Sequence, residues 1–174
     1  MKRYCFAVAL AVTLLFSTAL AFAQGQARGA AKLELKGQTV SVEYGQPSLN
    51  GRTVQQLIGQ LGAGDVWRLG SNKSTTFSTG ADLAFGDVTV PKGEYSLWAR
   101  KEADGSWKLV FNKQHGQWGT QHDAAQDLAA APLTETKASK SAEQVTISLE
   151  KAGDGGEISI QWGDMVLAAK FMAK

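Results

Sequence analysis

Between positions 33 and 171 the apolar side chains recur mostly at every second residue, the period of a strand that buries one face. Leu33 and Leu35 alternate with charges, and Val40, Val42 and Tyr44 alternate with Thr39, Ser41 and Glu43. Tyr95, Leu97 and Ala99 interleave with Glu94, Ser96 and Arg100, while Trp107, Leu109 and Phe111 interleave with Lys108 and Asn112. These two runs flank Asp104-Gly105, a pair that accepts positive φ and reverses the chain tightly, so they predict a hairpin. In the last third, Val145, Ile147 and Leu149, then Ile158, Ile160 and Trp162, then residues 165–171 read as a three-stranded meander with turns at 153–156 and at Gly163-Asp164. Shorter strands are expected over 66–69, 75–78, 82–85 and 88–90, and helix only over 53–58 and 124–130. Roughly nine or ten short strands with so little helix predict an all-β antiparallel sandwich, jelly-roll-like and single-domain, rather than an alternating α/β fold.

One segment breaks the period. Lys2 and Arg3 precede an apolar run from Tyr4 to Leu20, and Ala21-Phe22-Ala23 precedes Gln24. A basic start, an apolar centre and a small-residue triplet are the marks of a cleaved secretory signal, so residues 1–23 are expected to be removed. The sole cysteine, Cys5, lies too early in the run to be a lipidation site at the cut. Residues 24–31 lack periodicity and are expected to form a flexible leader, with the domain occupying 32–174.

Of 18 basic and 16 acidic side chains, that cut removes Lys2, Arg3 and no acid, which leaves a mature chain of zero formal charge and no thiol. A neutral domain is a poor electrostatic match for nucleic acid. Thiol nucleophiles, thiolate metal sites and redox switching are excluded together, and no stable membrane insertion is expected after cleavage. The expected compartment is periplasmic or extracellular.

The string Ser41-Val42-Glu43-Tyr44-Gly45-Gln46-Pro47-Ser48, then Gly51-Arg52, then Val66-Trp67-Arg68-Leu69-Gly70-Ser71-Asn72 with Thr75-Thr76, resembles the bacterial DUF2911 family. Pro91-Lys92-Gly93-Glu94-Tyr95-Ser96-Leu97, Phe111-Asn112 and Trp118-Gly119 extend the resemblance over about residues 38 to 150. It implies an exported β domain and assigns no catalytic residue. The chain departs from the family at His122, where tyrosine is more usual, and near Ala130, where arginine often follows Asp127.

Three groups carry candidate chemistry. Arg52 and Arg68 each need a partner, because a desolvated guanidinium without one is costly. They either pair with Glu43, Asp65 or backbone carbonyls and clamp the 45–64 loop, or join Asn72 in a fork of donors for a carboxylate, phosphate or sugar hydroxyl. Trp98 and Trp118 form the second group. Trp107 and Trp162 fall on inward faces, whereas alternation turns Trp98 outward and glycines flank Trp118, so either Trp98 packs under a crossing loop and Trp118 anchors its own, or the pair is partly exposed and stacks on a sugar ring. His115, His122, Asp123 and Asp127 form the third, expected as a solvated loop, with His122, Asp123 and Asp127 as secondary candidates for acid–base catalysis. Two histidines seven apart do not match the one-turn helical spacing of a zinc motif, and no metal or cofactor is expected. The expected function is a non-enzymatic envelope module that binds a saccharide or other small polar ligand. The alternatives are a hydrolase using the loop of His115, His122 and Asp127, and a module that docks on another protein.

Overall fold

In the computed structural model, which describes residues 28–174, strand β1 (Arg28–Leu35) pairs with β2 (Gln38–Gly45) in an antiparallel hairpin. Leu35 faces Gln38, so only Lys36 and Gly37 make the turn, and both have positive φ. That is the type I′ geometry whose twist matches the flanking strands. Residues 28–31, expected to end the leader, are therefore strand. Residues 1–27, which include the expected signal peptide, lie outside the described residues.

The remaining elements are helix α1 (Val54–Ile58) and the strands β3 (Val66–Trp67), β4 (Thr75–Thr79), β5 (Leu83–Phe85), β6 (Val88–Val90), β7 (Gly93–Lys101), β8 (Trp107–Asn112), β9 (Asp127–Ala152) and β10 (Gly155–Ala173). They form one antiparallel sheet of ten strands in the order β1-β2-β4-β7-β8-β9-β10-β5-β6, with β3 beside β7. The all-β fold read from the alternation is the observed one. Helix α1 starts where expected, because the Thr53 hydroxyl accepts from Gln56 N while the Gln56 side chain accepts from Thr53 N, a capping box. The β7–β8 hairpin turns at Asp104-Gly105 as predicted. Asp104 accepts from both Ser106 N and Oγ, contacts that hold its carboxyl below the usual range.

Two expectations are corrected. The C-terminal meander is two long strands, not three short ones. At Gly163 the register of β10 against β9 shifts, but the strand continues. Gly163 has φ +60, and a Cβ there would lie 2.8 Å from Val54 Cγ2, so glycine both permits the bulge and lets α1 approach. Residues 124–130 hold a single 3-10 turn, Ala124–Gln126, and Asp127 already begins β9.

The sheet folds on itself because β9 is long enough to serve both halves. Its first residues pair with β8, and those from 134 onward pair with β10. Within the second stretch, Leu49 N donates to Glu143 O and Val145 N to Pro47 O, which joins the segment after β2 to β9. The enclosed core holds Trp67 stacked on Trp162, with centroids 5.7 Å apart, and Phe85 in contact with Phe111 and Phe171.

Candidate functional site

The outer face of β7 and β8 is not bare. Trp98 and Val110 are cross-strand partners on that face, and both are buried although neither belongs to the enclosed core. Residues 113–126 cover them. Asn112, fully buried at the end of β8, anchors this cover. Its Nδ2 donates to Asp127 Oδ1 at 2.7 Å and to Asp123 O at 2.8 Å, and its Oδ1 accepts from Gln114 N at 2.9 Å. Lys113 N donates to Gln126 O and closes the neck of the loop.

His122 packs on the Trp98 ring with centroids 4.8 Å apart, and its Nε2 lies 2.9 Å from Asp127 Oδ1. A carboxylate only accepts, so Nε2 carries the proton in this contact. Below it, Trp98 Nε1 donates to Ser96 Oγ, which also receives Gln117 Nε2 and donates to Gln114 O. These bonds satisfy polar atoms that the loop desolvates. Trp98 is only 2% exposed, so of its two expected arrangements the packed one under a crossing loop is observed and the partly exposed one is not. It fills a second, smaller core, and that is the physical reason an outward-facing tryptophan belongs on a strand here.

The tip of the loop is different. Trp118 is 51% exposed. Its backbone is held to the turn that follows β3, with a bridge between Lys73 and Trp118 and a 2.7 Å bond from Gly119 N to Asn72 O. Ser74 adds a bond from its N to Gln117 O and one from its hydroxyl to Gln117 Oε1. Arg68 runs beneath this junction, and a Cβ on Gly119 would lie 2.9 Å from Arg68 Cδ and 3.7 Å from Nη1. Glycine at 119 is what lets the loop cross the guanidinium so closely.

Arg68 is half-buried, and its Nε donates to Gly70 O at 3.1 Å. Of the partners expected for it, this is the backbone carbonyl, supplied by its own turn, and among the described residues no carboxylate pairs with it. Its remaining N–H groups are left for solvent or a ligand. Arg52 is elsewhere: it is exposed after β2, and its Nε donates to Leu49 O. The structure thus brings Arg68, Asn72 and Trp118 together and leaves Arg52 out. Leu69 and Asn72 both have positive φ, so the turn carrying these groups is held against local preference by its packing.

His115 is exposed and lies 3.9 Å from Glu94, whereas His122 is bound to Asp127, so the two imidazoles have different partners. Asp123 caps the 3-10 turn through Ala125 N. Among the described residues no three His, Cys, Asp or Glu side chains are placed to share a metal ion. An imidazole oriented by a carboxylate can act as a general base, but here one face of the ring is packed on Trp98. Sequence reasoning missed Asn112, Ser96, Ser74 and Gln117. The signal was available for Asn112, since a polar residue closing the apolar run of β8 needs its own partners.

Replacing Asn112 by alanine removes three hydrogen bonds at a buried position. The expected loss is about 2 kcal/mol in urea unfolding, with faster amide exchange across 113–126 and unchanged exchange in β10. An unchanged midpoint would show that Asn112 does not anchor the loop.

Neither a curated protein nor a solved structure matches this chain. A family model described as protein of unknown function, DUF2911, matches residues 27–171. That span runs from the start of β1 to nearly the end of β10 and takes in the loop, the Arg68 turn and both cores, so the chain belongs to the DUF2911 family.

Proposed function

We propose that this protein is an exported, non-enzymatic module of the cell envelope that binds a saccharide or another small polar ligand at the rim formed by Trp118 and Arg68. The observation that carries the reading is the state of Arg68: half-buried, bound through Nε to one carbonyl, without a carboxylate partner among the described residues, and beneath Gly119, the residue after the exposed Trp118. A guanidinium fork supplies directional donors to a carboxylate, phosphate or vicinal hydroxyls, and a flat indole supplies apolar contact to the face of a ring. Export rests on the basic start, the apolar run and Ala21-Phe22-Ala23. Hydrolysis through His115, His122 and Asp127 is the weaker reading, because the three groups are split between two contacts and His122 is engaged in holding the loop.

Tryptophan fluorescence titration with envelope oligosaccharides tests it. Trp118→Ala and Arg68→Ala should each weaken binding roughly tenfold, equivalent to about 1.4 kcal/mol, while the melting temperature stays near wild type in Trp118→Ala and falls by only a few degrees in Arg68→Ala, which loses its bond to Gly70 O. Loss of stability without loss of binding in both variants would remove the support for this rim.

A further inference from the structure

We infer that the ligand is acidic, a sugar ring bearing a carboxylate or phosphate group, held by three cations that converge on the 68–74 turn. This deepens the binding reading above and rests on it.

The cations come from three elements. Arg28 begins β1, and its Nη2 reaches Ser74 O at 3.5 Å. Arg68 lies under Gly119. Lys73 is exposed and forms the antiparallel bridge to Trp118. Residues directly opposed in an antiparallel bridge project to the same face with Cβ atoms about 5 Å apart, so the Lys73 and Trp118 side chains leave the backbone on the same face. Ser74 ties the set together, taking Arg28 on its carbonyl and Gln117 on its amide and hydroxyl.

None of the three is ion-paired among the described residues, whereas other cations of the same sheet are. Arg100 and Lys108 share Glu102, Lys32 pairs with Glu34, and Lys137 pairs with Asp164. The acids nearest in sequence or on the loop are engaged elsewhere or unpaired. Asp127 holds His122 and Asn112, Asp123 caps its turn, and Glu43, on β2 opposite Thr76, forms no ion pair among the described residues. A mature chain with balanced charge therefore leaves three cations without ion-pair partners among the described residues at one turn, which is bridged to the exposed Trp118. Like charges raise one another's energy, and an anion placed among them relieves it. Arg68 offers the bidentate geometry, Lys73 and Arg28 add charge, and Trp118 takes the ring.

Calorimetric titration of the full mature chain with trigalacturonate, its neutral methyl ester, glucose 6-phosphate and inorganic phosphate tests the inference. At low salt, trigalacturonate or the sugar phosphate should bind at least tenfold tighter than the neutral ester, and whichever acid wins identifies the carboxylate or phosphate class. The advantage should shrink severalfold on raising salt, because exposed charges are screened. Lys73→Gln, which keeps the backbone bridge to Trp118 and removes only the charge of an exposed side chain, should reduce it at least threefold. Equal binding of neutral and acidic sugars overturns the inference and leaves the saccharide reading intact. Inorganic phosphate binding as tightly as the sugar phosphate overturns the ring half of it. Failure of all four probes overturns both.

Discussion

Trp98→Ala is expected to destabilise the protein by about 3–5 kcal/mol, the range for removing a buried large aromatic. The side chain is 2% exposed, carries His122 on its ring and donates from Nε1 to Ser96 Oγ. Its loss opens a cavity between β7 and the covering loop, and it removes one of the three bonds that converge on Ser96. Trp98→Phe keeps most of the apolar volume and loses the Nε1 bond, so it should cost only about 1–2 kcal/mol. Urea unfolding measures both. The stacked pair of Trp67 and Trp162 reports independently on the enclosed core, and its near-ultraviolet dichroism should survive in folded Trp98→Ala. A loss under about 1 kcal/mol would mean that the loop does not bury this ring.

Gly45→Ala should be the most damaging small change on the site side. A Cβ there would press on Ser71 O and stand 2.5 Å from Ser71 Oγ and 2.8 Å from Ser71 N. Backbone on both sides cannot yield as a flexible side chain can, so either β2 or the 68–74 turn must move. The expected cost lies at the upper end of about 1–3 kcal/mol. The turn that moves carries Arg68, Asn72 and Lys73, so ligand affinity should fall further than the stability change alone would bring about. Gly62→Ala, whose nearest neighbour would be Asp65 Oδ2 at 3.5 Å, serves as the neutral control. Full affinity in Gly45→Ala would separate the turn from the site.

Strands were legible wherever one face is buried. Val40, Val42 and Tyr44 or Leu109 and Phe111 alternate because every second residue enters the enclosed core. The alternation fails for β9 between residues 134 and 144, which are mostly exposed on both faces, so no apolar period marks that stretch as strand. Gly163-Asp164 looked like a turn because a bulge and a turn ask for the same residue, one that accepts positive φ. Trp98 illustrates a different limit. Alternation gave its face correctly, but burial of that face depends on a loop that returns from residue 113 and is pinned by Asn112 and Asp127. Contacts between segments so far from periodic leave no local trace. The meeting of Arg68, Asn72 and Trp118 was half legible: the first two share a turn, and Trp118 joins them through the bridge to Lys73 and the bonds of Gln117 and Gly119 to Ser74 and Asn72.

Heteronuclear NMR of the mature chain, titrated with trigalacturonate, tests the central claim most directly, because each indole Nε1–H and arginine Nε–H gives its own signal. The account predicts shifts at Trp118 and Arg68, with smaller ones along 72–74, while the Trp98 indole stays protected from exchange and unmoved throughout. Shifts centred on Trp98, or a Trp98 indole that exchanges as fast as that of Trp118, would contradict it.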